Sequence, residues 1–263
     1  MKVGIIGAGN MGGAIARGLA AGNRVKACDI TVCCPSQLEL DALKQFDKDI
    51  NISTDNEVAV TGSDIIIAVV KPWLLDSVLK PLMPKVDFSR QIIVSVVAGM
   101  TTEHLVELAK DYCEKPVVMC AMPNTAARVH ESMTFLCAEN ATTEQIEMVK
   151  SVFGELGAVM MVEERLMGAG MALASCGIAY ALRYVRAAME GGVELGLYPE
   201  DAKHIVMQTL KGAVALLEAN DNHPEVEIDK VTTPGGVTIK GLNAMEACGF
   251  THSVIEGLKY SVK

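Results

Sequence analysis

The sequence predicts an α/β protein: a doubly wound, mostly parallel sheet over residues 1–162, followed by an all-helical domain over residues 163–263. Three observations predict it. Short apolar runs alternate with helical stretches up to about residue 162, the pattern of strands joined by crossover helices. Beyond Glu164 no further run of strand character appears, and long helical spacing takes over. A glycine-rich segment stands directly between the first apolar run and the first helical stretch.

The first strand is Lys2 to Ile6. Gly7-Ala8-Gly9-Asn10-Met11-Gly12-Gly13 follows, then a helix from Ala14 to Ala21 that Gly22-Asn23 ends. A second strand is centred on Ile30 to Val32, and Pro35-Ser36 caps a helix over 37–46. Ile50 to Ser53 reads as a short strand and Asn56 to Thr61 as a short helix. Asp64 to Val70, apolar throughout after Asp64, is expected to be a strand covered on both faces, and Lys71-Pro72 stops it. Further strands are expected at 91–97, 117–122, 133–138 and 158–162, with helices at 74–83, after Thr101, and at 143–156. In the second domain, helices are expected at 166–195, 199–218 and from Thr238 to the end.

Composition narrows the function. Half the residues are apolar and 21% are charged, which is the make-up of an ordered globular chain. A net charge of -9 argues against nucleic acid as a partner, since phosphate neutralisation needs basic surface. The eight cysteines include no Cys-x-x-Cys pair, and the first apolar run leads straight into glycines. Free thiols in a reducing, cytoplasmic setting are the expectation, with no secretory leader. The stretch from Leu166 to Leu182 carries no charge, but it is rich in Gly, Ala, Ser and Cys. We read it as a helix enclosed by protein at a subunit interface, not as a membrane span.

Gly7-x-Gly9-x-x-Gly12 lies in the strand–loop–helix context that makes this spacing meaningful. The first glycine permits the tight turn, the second lets backbone approach a pyrophosphate, and the third lets helix and strand pack closely. The helix N-terminus then presents N–H groups and a partial positive charge to the phosphates. This defines a Rossmann-type dinucleotide site. An acid about 20 residues on would grip a ribose hydroxyl. Asp29 has the count but stands at the start of its strand, whereas the strand's end, Cys33-Cys34-Pro35-Ser36, is neutral. NADP(H) is therefore the expected cofactor, with NAD(H) as the second choice, although no arginine follows the strand.

Thr232-Thr233-Pro234-Gly235-Gly236-Val237-Thr238 interrupts the helical domain. Pro-Gly-Gly is not helix interior, and helical spacing resumes at Ile239 and Leu242. Two readings stand side by side: a turn that offers hydroxyls and N–H groups to a carboxylate, or a plain helix cap. The five histidines show no metal-ligand spacing, so no metal site is expected.

These segments, together with Val70-Lys71-Pro72, Met122-Pro123-Asn124-Thr125 and Gly191-Gly192-Val193-Glu194-Leu195-Gly196-Leu197, resemble the pyrroline-5-carboxylate reductase family along nearly the whole chain. The resemblance implies NAD(P)H-dependent reduction of 1-pyrroline-5-carboxylate to L-proline. It implies that Ile6, Gly7, Ala8, Gly9, Asn10 and Met11 hold the dinucleotide, with Cys34, Asn56, Val70, Lys71, Pro72, Ala98 and Lys230. It implies that Glu164, Thr233, Gly236, Val237 and Thr238 meet the imino acid, with Thr238 as the catalytic candidate. It further implies a homodimer of interlocked helical domains, extended in many members to five dimers. One departure bears on the substrate pocket. The family's Ser-Gly-Ser-Gly-Pro-Ala-Tyr run is Ala174-Ser175-Cys176-Gly177-Ile178-Ala179-Tyr180 here. The alternatives are reduction of a different imine or small acid on the same fold, or dinucleotide sensing without catalysis. The absence of lysine from Leu166 to Leu195 counts against a β-hydroxyacid dehydrogenase.

Overall fold

The computed structural model describes residues 1–262 and divides into two compact units, Met1–Ser175 and Cys176 onward. The first unit continues past residue 162, the expected break, because the segment up to Ser175 hydrogen-bonds back onto it.

The first unit is built on one eight-stranded sheet. In chain order its strands are β1 (Val3–Ile6), β2 (Ile30–Cys33), β3 (Asn51–Ser53), β4 (Ile65–Ala68), β5 (Ile92–Ser95), β6 (Val118–Met122), β7 (Ser132–Glu139) and β8 (Gly157–Met161). Their spatial order is β3-β2-β1-β4-β5-β6-β7-β8, with every pair parallel except β6 with β7. The helices are α1 (Asn10–Ala21), α2 (Gln37–Phe46), α3 (Glu57–Val60), α4 (Leu75–Leu79), α5 (Thr102–Ala109), α6 (Thr143–Phe153) and α7 (Met167–Gly170).

Alternation along the strands divides the core between the two sheet faces. Val3, Ile5, Ile65 and Ile67 join Ile15 and Leu19 of α1, Leu40 of α2 and Phe153 of α6. Ile6, Ile66 and Ala68 join Leu75 and Leu79 of α4 and Leu105 of α5 on the other face. Each fully buried Ile or Leu stabilises the fold by about 1.5–3 kcal/mol. All four residues of β4 are buried, as its unbroken apolar run predicts.

The second unit contains α8 (Gly177–Glu194), α9 (Pro199–Asn220), α10 (Pro224–Lys230), α11 (Val237–Ala247) and α12 (Phe250–Tyr260). The helix at 224–230 is absent from the sequence expectation, and the last expected helix divides at Gly249, whose φ of 79° belongs to the left-handed region. α8 packs on α9 where Gly192 meets Ala202, and the Tyr180 hydroxyl donates to the Gly257 carbonyl of α12 at 3.0 Å. Among the described residues of this unit, only Ala202 is fully buried.

The expectation that Leu166–Leu182 is enclosed on all sides is corrected for the single chain. Leu182 is 61% exposed and Leu173 64%. By length and composition the helical run Glu164–Glu194 is long and apolar enough to cross a membrane, with 17% of its apolar window buried. The chain alone supplies too few apolar neighbours to cover this helix, which leaves an exposed face of the kind that marks an association surface. The run is also not one regular helix, because Met171–Cys176 winds as a π-helix across the departure from the family run.

Candidate active site

Strand register brings the candidate dinucleotide residues to one edge. Ile6 pairs with Cys33 and with Ala68, Cys33 with Ser53, and Ala68 with Ser95, so the parallel strands end on a single rung. Gly7, Cys34, Asn56, Val70-Lys71-Pro72 and Ala98 all follow those ends. This is the carboxyl edge where open α/β sheets bind ligands.

The glycine loop takes the shape its spacing predicts. Gly7 has a φ of 110°, its N–H donates to the Cys33 carbonyl at 2.7 Å, and a side chain there would collide with the Val69 carbonyl. A Cβ on Gly12 would lie 1.9 Å from the Gly7 carbonyl oxygen. Gly9 differs: a Cβ there meets nothing within 4 Å of this chain. It is the N-cap of α1 and no side chain caps that helix, so the N–H groups of the first turn face outward. The cradle fits a dinucleotide. Asn56 also fits, since its Oδ1 atom is shielded from solvent without a hydrogen-bond partner among the described residues.

A cleft of about 690 Å³ opens beside the loop, lined by Gly9, Asn10, Arg17, Glu39, Thr125 and Arg128 among others. Sequence reasoning finds no arginine after β2. The structure supplies two from elsewhere, Arg17 from α1 and Arg128 from the 3-10 turn after β6. Asp29 precedes β2 and lines a different cleft with Lys2 and Asn51, near the strand starts. Burial raises the Cys33 thiol to about 11 and also raises that of Cys34, whose sulfur lies 3.4 Å from Glu39 Oε2.

Glu164 also belongs to the first unit. Its Oε1 accepts from the Thr102 N–H at 2.5 Å and its Oε2 from the Thr102 hydroxyl at 3.1 Å. The Cys137 sulfur lies 4.0 Å from Oε1. Nearby, Asn124 of the Met-Pro-Asn-Thr segment donates its backbone N–H to the Ser132 hydroxyl and its side-chain amide to the Ala174 carbonyl. Ser175 donates to the Pro123 carbonyl at 3.4 Å. The departure segment and Met122–Thr125 thus hold each other. Sequence reasoning missed Thr102, whose only signal was the cap motif Thr101-Thr102-Glu103.

In the second unit, Gly236 caps α11, Gly235 takes a φ of 72°, and the Gly236 N–H donates to the Thr233 carbonyl at 2.9 Å. No side chain caps α11, and Val237 and Thr238 are exposed in its first turn. The turn therefore brings Thr233, Gly236, Val237 and Thr238 together. Lys230 ends α10, exposed and paired with Glu227 at 2.7 Å.

The carboxyl-edge rung, the glycine cradle and the helical second unit define a dinucleotide-binding oxidoreductase of the Rossmann class. The profile of the NADP oxidoreductase, coenzyme F420-dependent, family matches residues 2–99, and that of pyrroline-5-carboxylate reductase dimerisation matches residues 164–263. The chain is 38% identical to pyrroline-5-carboxylate reductase 1 of Dictyostelium discoideum, over 97% of this chain and 48% of that one, so it spans about half of that relative. It is 35% identical to pyrroline-5-carboxylate reductase 2 of the same organism, over 100% of this chain and 91% of the other. The crystal structure of Plasmodium falciparum pyrroline carboxylate reductase with NADP bound superposes with a TM-score of 0.89 at 28% identity, covering 100% of this chain and 95% of that one. The chain belongs to the pyrroline-5-carboxylate reductase family.

Proposed function

We infer that the chain reduces 1-pyrroline-5-carboxylate to L-proline with NADP(H). The observation that carries this is the coexistence, in a chain that matches these reductases over 97% or more of its own length, of an intact glycine cradle and an intact Thr-Pro-Gly-Gly-Val-Thr turn. When bound, the reduced nicotinamide supplies the hydride.

The protein's own work is to bind and orient. Ile6 to Met11 hold the pyrophosphate on the α1 N-terminus, and Asn56 gives its unpartnered oxygen to a donor on the dinucleotide. Val70, Lys71, Pro72 and Ala98 wall the site, and Cys34 stands at the adenosine end. Arg17 and Arg128 favour a 2′-phosphate, the feature that selects NADP(H) over NAD(H). Lys230 is assigned to the cofactor on the family resemblance alone. The N–H groups at Gly236 to Thr238 take the imino acid's carboxylate, and Thr233 supports the turn. Thr238 hydrogen-bonds the imine nitrogen. A threonine hydroxyl is a poor acid, so it orients the ring more than it protonates it. Glu164, held by Thr102, is assigned to the imino acid on the family resemblance.

A second copy covers the exposed faces of the helical unit, giving a homodimer, with five dimers as the larger assembly. The uncharged helix then lies within protein and not in a membrane, and the enzyme works in the cytoplasm without nucleic acid. The test is oxidation of NADPH and NADH on adding pyrroline-5-carboxylate, with proline identified as product. NADPH binding without oxidation by any cyclic imine would instead favour a sensor.

A further inference from the structure

Cys120 of β6 and Cys137 of β7 are direct partners across the sheet's antiparallel pair, and both are buried. Direct partners project from the same face, here the face that carries Ile6 and Met167. Glu164 reaches this pair from the segment after β8. One ligand atom from each of the three residues lies within 4.8 Å of the other two. The environment of the thiols follows from that packing. Cys120 is held well above the ordinary thiol range, first by its contact with the Cys137 sulfur and then by burial, and the same contact lowers Cys137. Neither the glycine cradle nor the Thr233–Thr238 turn uses either thiol.

We propose that Cys120, Cys137 and Glu164 form a binding site for a soft or borderline divalent cation, with zinc the best match. Two sulfurs and one carboxylate oxygen are a donor set zinc accepts, with Zn–S of about 2.3 Å and Zn–O of about 2.0–2.2 Å. Tetrahedral bonds of those lengths set ligand atoms about 3.5–3.8 Å apart. The Cys137 sulfur and Glu164 Oε1, at 4.0 Å, need only a small inward shift. Thr102 fixes the carboxylate through two hydrogen bonds, the support metal-ligating carboxylates require. Binding is balanced as an exchange: both S–H bonds lose their protons to solvent, two metal–sulfur bonds form, the carboxylate adds one bond, and no oxidation state changes. The Cys120 thiol gives up its hydrogen bond to the Met100 carbonyl, now 3.5 Å away. A water completes the tetrahedron.

The position gives the site a consequence. Cys120 is in register with Ser95, so the pair lies on the rung that ends at the dinucleotide edge. A cation here takes Glu164 away from the imino acid. This inhibitory part rests on the proposed role of Glu164, whereas the site itself does not.

The test uses the full-length chain, reduced with a phosphine that binds no metal, and cobalt(II) as the spectroscopic probe. One cobalt per chain is expected, with a sulfur-to-cobalt charge-transfer band and the intense visible bands of tetrahedral cobalt. Zinc should displace it, with two protons released per metal. The band should be lost in the C120S/C137S double variant and in C137S alone, each checked for folding by unaltered NADPH binding. T102V should weaken cobalt by about 10–100-fold. No band in the wild type, or the same band in the double variant through the other cysteines, overturns the site. Zinc should also inhibit reduction competitively with the imino acid and leave C137S uninhibited. A cobalt band without inhibition upholds the site and counts against Glu164 as a substrate residue.

Discussion

Thr102 donates twice to Glu164, through its N–H at 2.5 Å and its hydroxyl at 3.1 Å, and so fixes both carboxylate oxygens across 62 residues of chain. Thr102 is itself buried. T102V keeps the shape and removes the hydroxyl. It should raise KM for the imino acid, leave NADPH binding unchanged and lower unfolding stability by about 1–2 kcal/mol. Steady-state kinetics and urea unfolding check both parts. An unchanged KM would separate Glu164 from the substrate.

Gly9 and Gly12 should part company when replaced by alanine. Gly9 has a backbone of φ -63° and ψ -168°, open to any residue, and free space where Cβ would go. G9A should melt like the wild type yet bind NADPH about tenfold or more weakly, because its methyl enters the cradle. G12A drives a methyl into the Gly7 carbonyl and should lose stability as well. Calorimetry with fluorescence titration of NADPH separates the two.

Arg17 and Arg128 give the cofactor preference a structural source. R17A and R128A should each lower kcat/KM for NADPH by about tenfold, as loss of a charge-assisted bond would, while NADH changes little. Equal losses for both cofactors would remove the arginines from the 2′-phosphate.

Stability should fall on the alkaline side. Cys33 is fully buried and its thiol is raised from 9.0 to about 11 by that burial. The unfolded chain therefore loses this proton first, so stability is intact below about pH 9 and declines as pH rises toward 11. The loss from this group is at most about 2–3 kcal/mol. Unfolding free energy measured from about pH 9 to 11 should fall more steeply with pH in the wild type than in C33A.

Much of this was legible because local chemistry and global fold agree over the first unit. The unbroken Ile65–Ala68 run and the glycine spacing each admit one structure. What was hidden depends on register and long-range approach. Cys120 and Cys137 meet only because β6 and β7 run antiparallel in one register, and Glu164 joins them from 27 residues beyond Cys137. Arg17 and Arg128 come from different elements, so no single motif contains both. In the second unit, helical spacing predicted the long helices but missed the short one at 224–230, the break at Gly249 and where the apolar faces go. The last is decided by a surface the single chain does not supply.

The central claim, reduction of a cyclic imino acid, is tested most directly by mixing the purified full-length chain with pyrroline-5-carboxylate and NADPH and following absorbance and proline together. The account predicts stoichiometric loss of NADPH and gain of L-proline, with a rate that collapses in T238A and G9A. Binding of NADPH with no proline formed from pyrroline-5-carboxylate would contradict it.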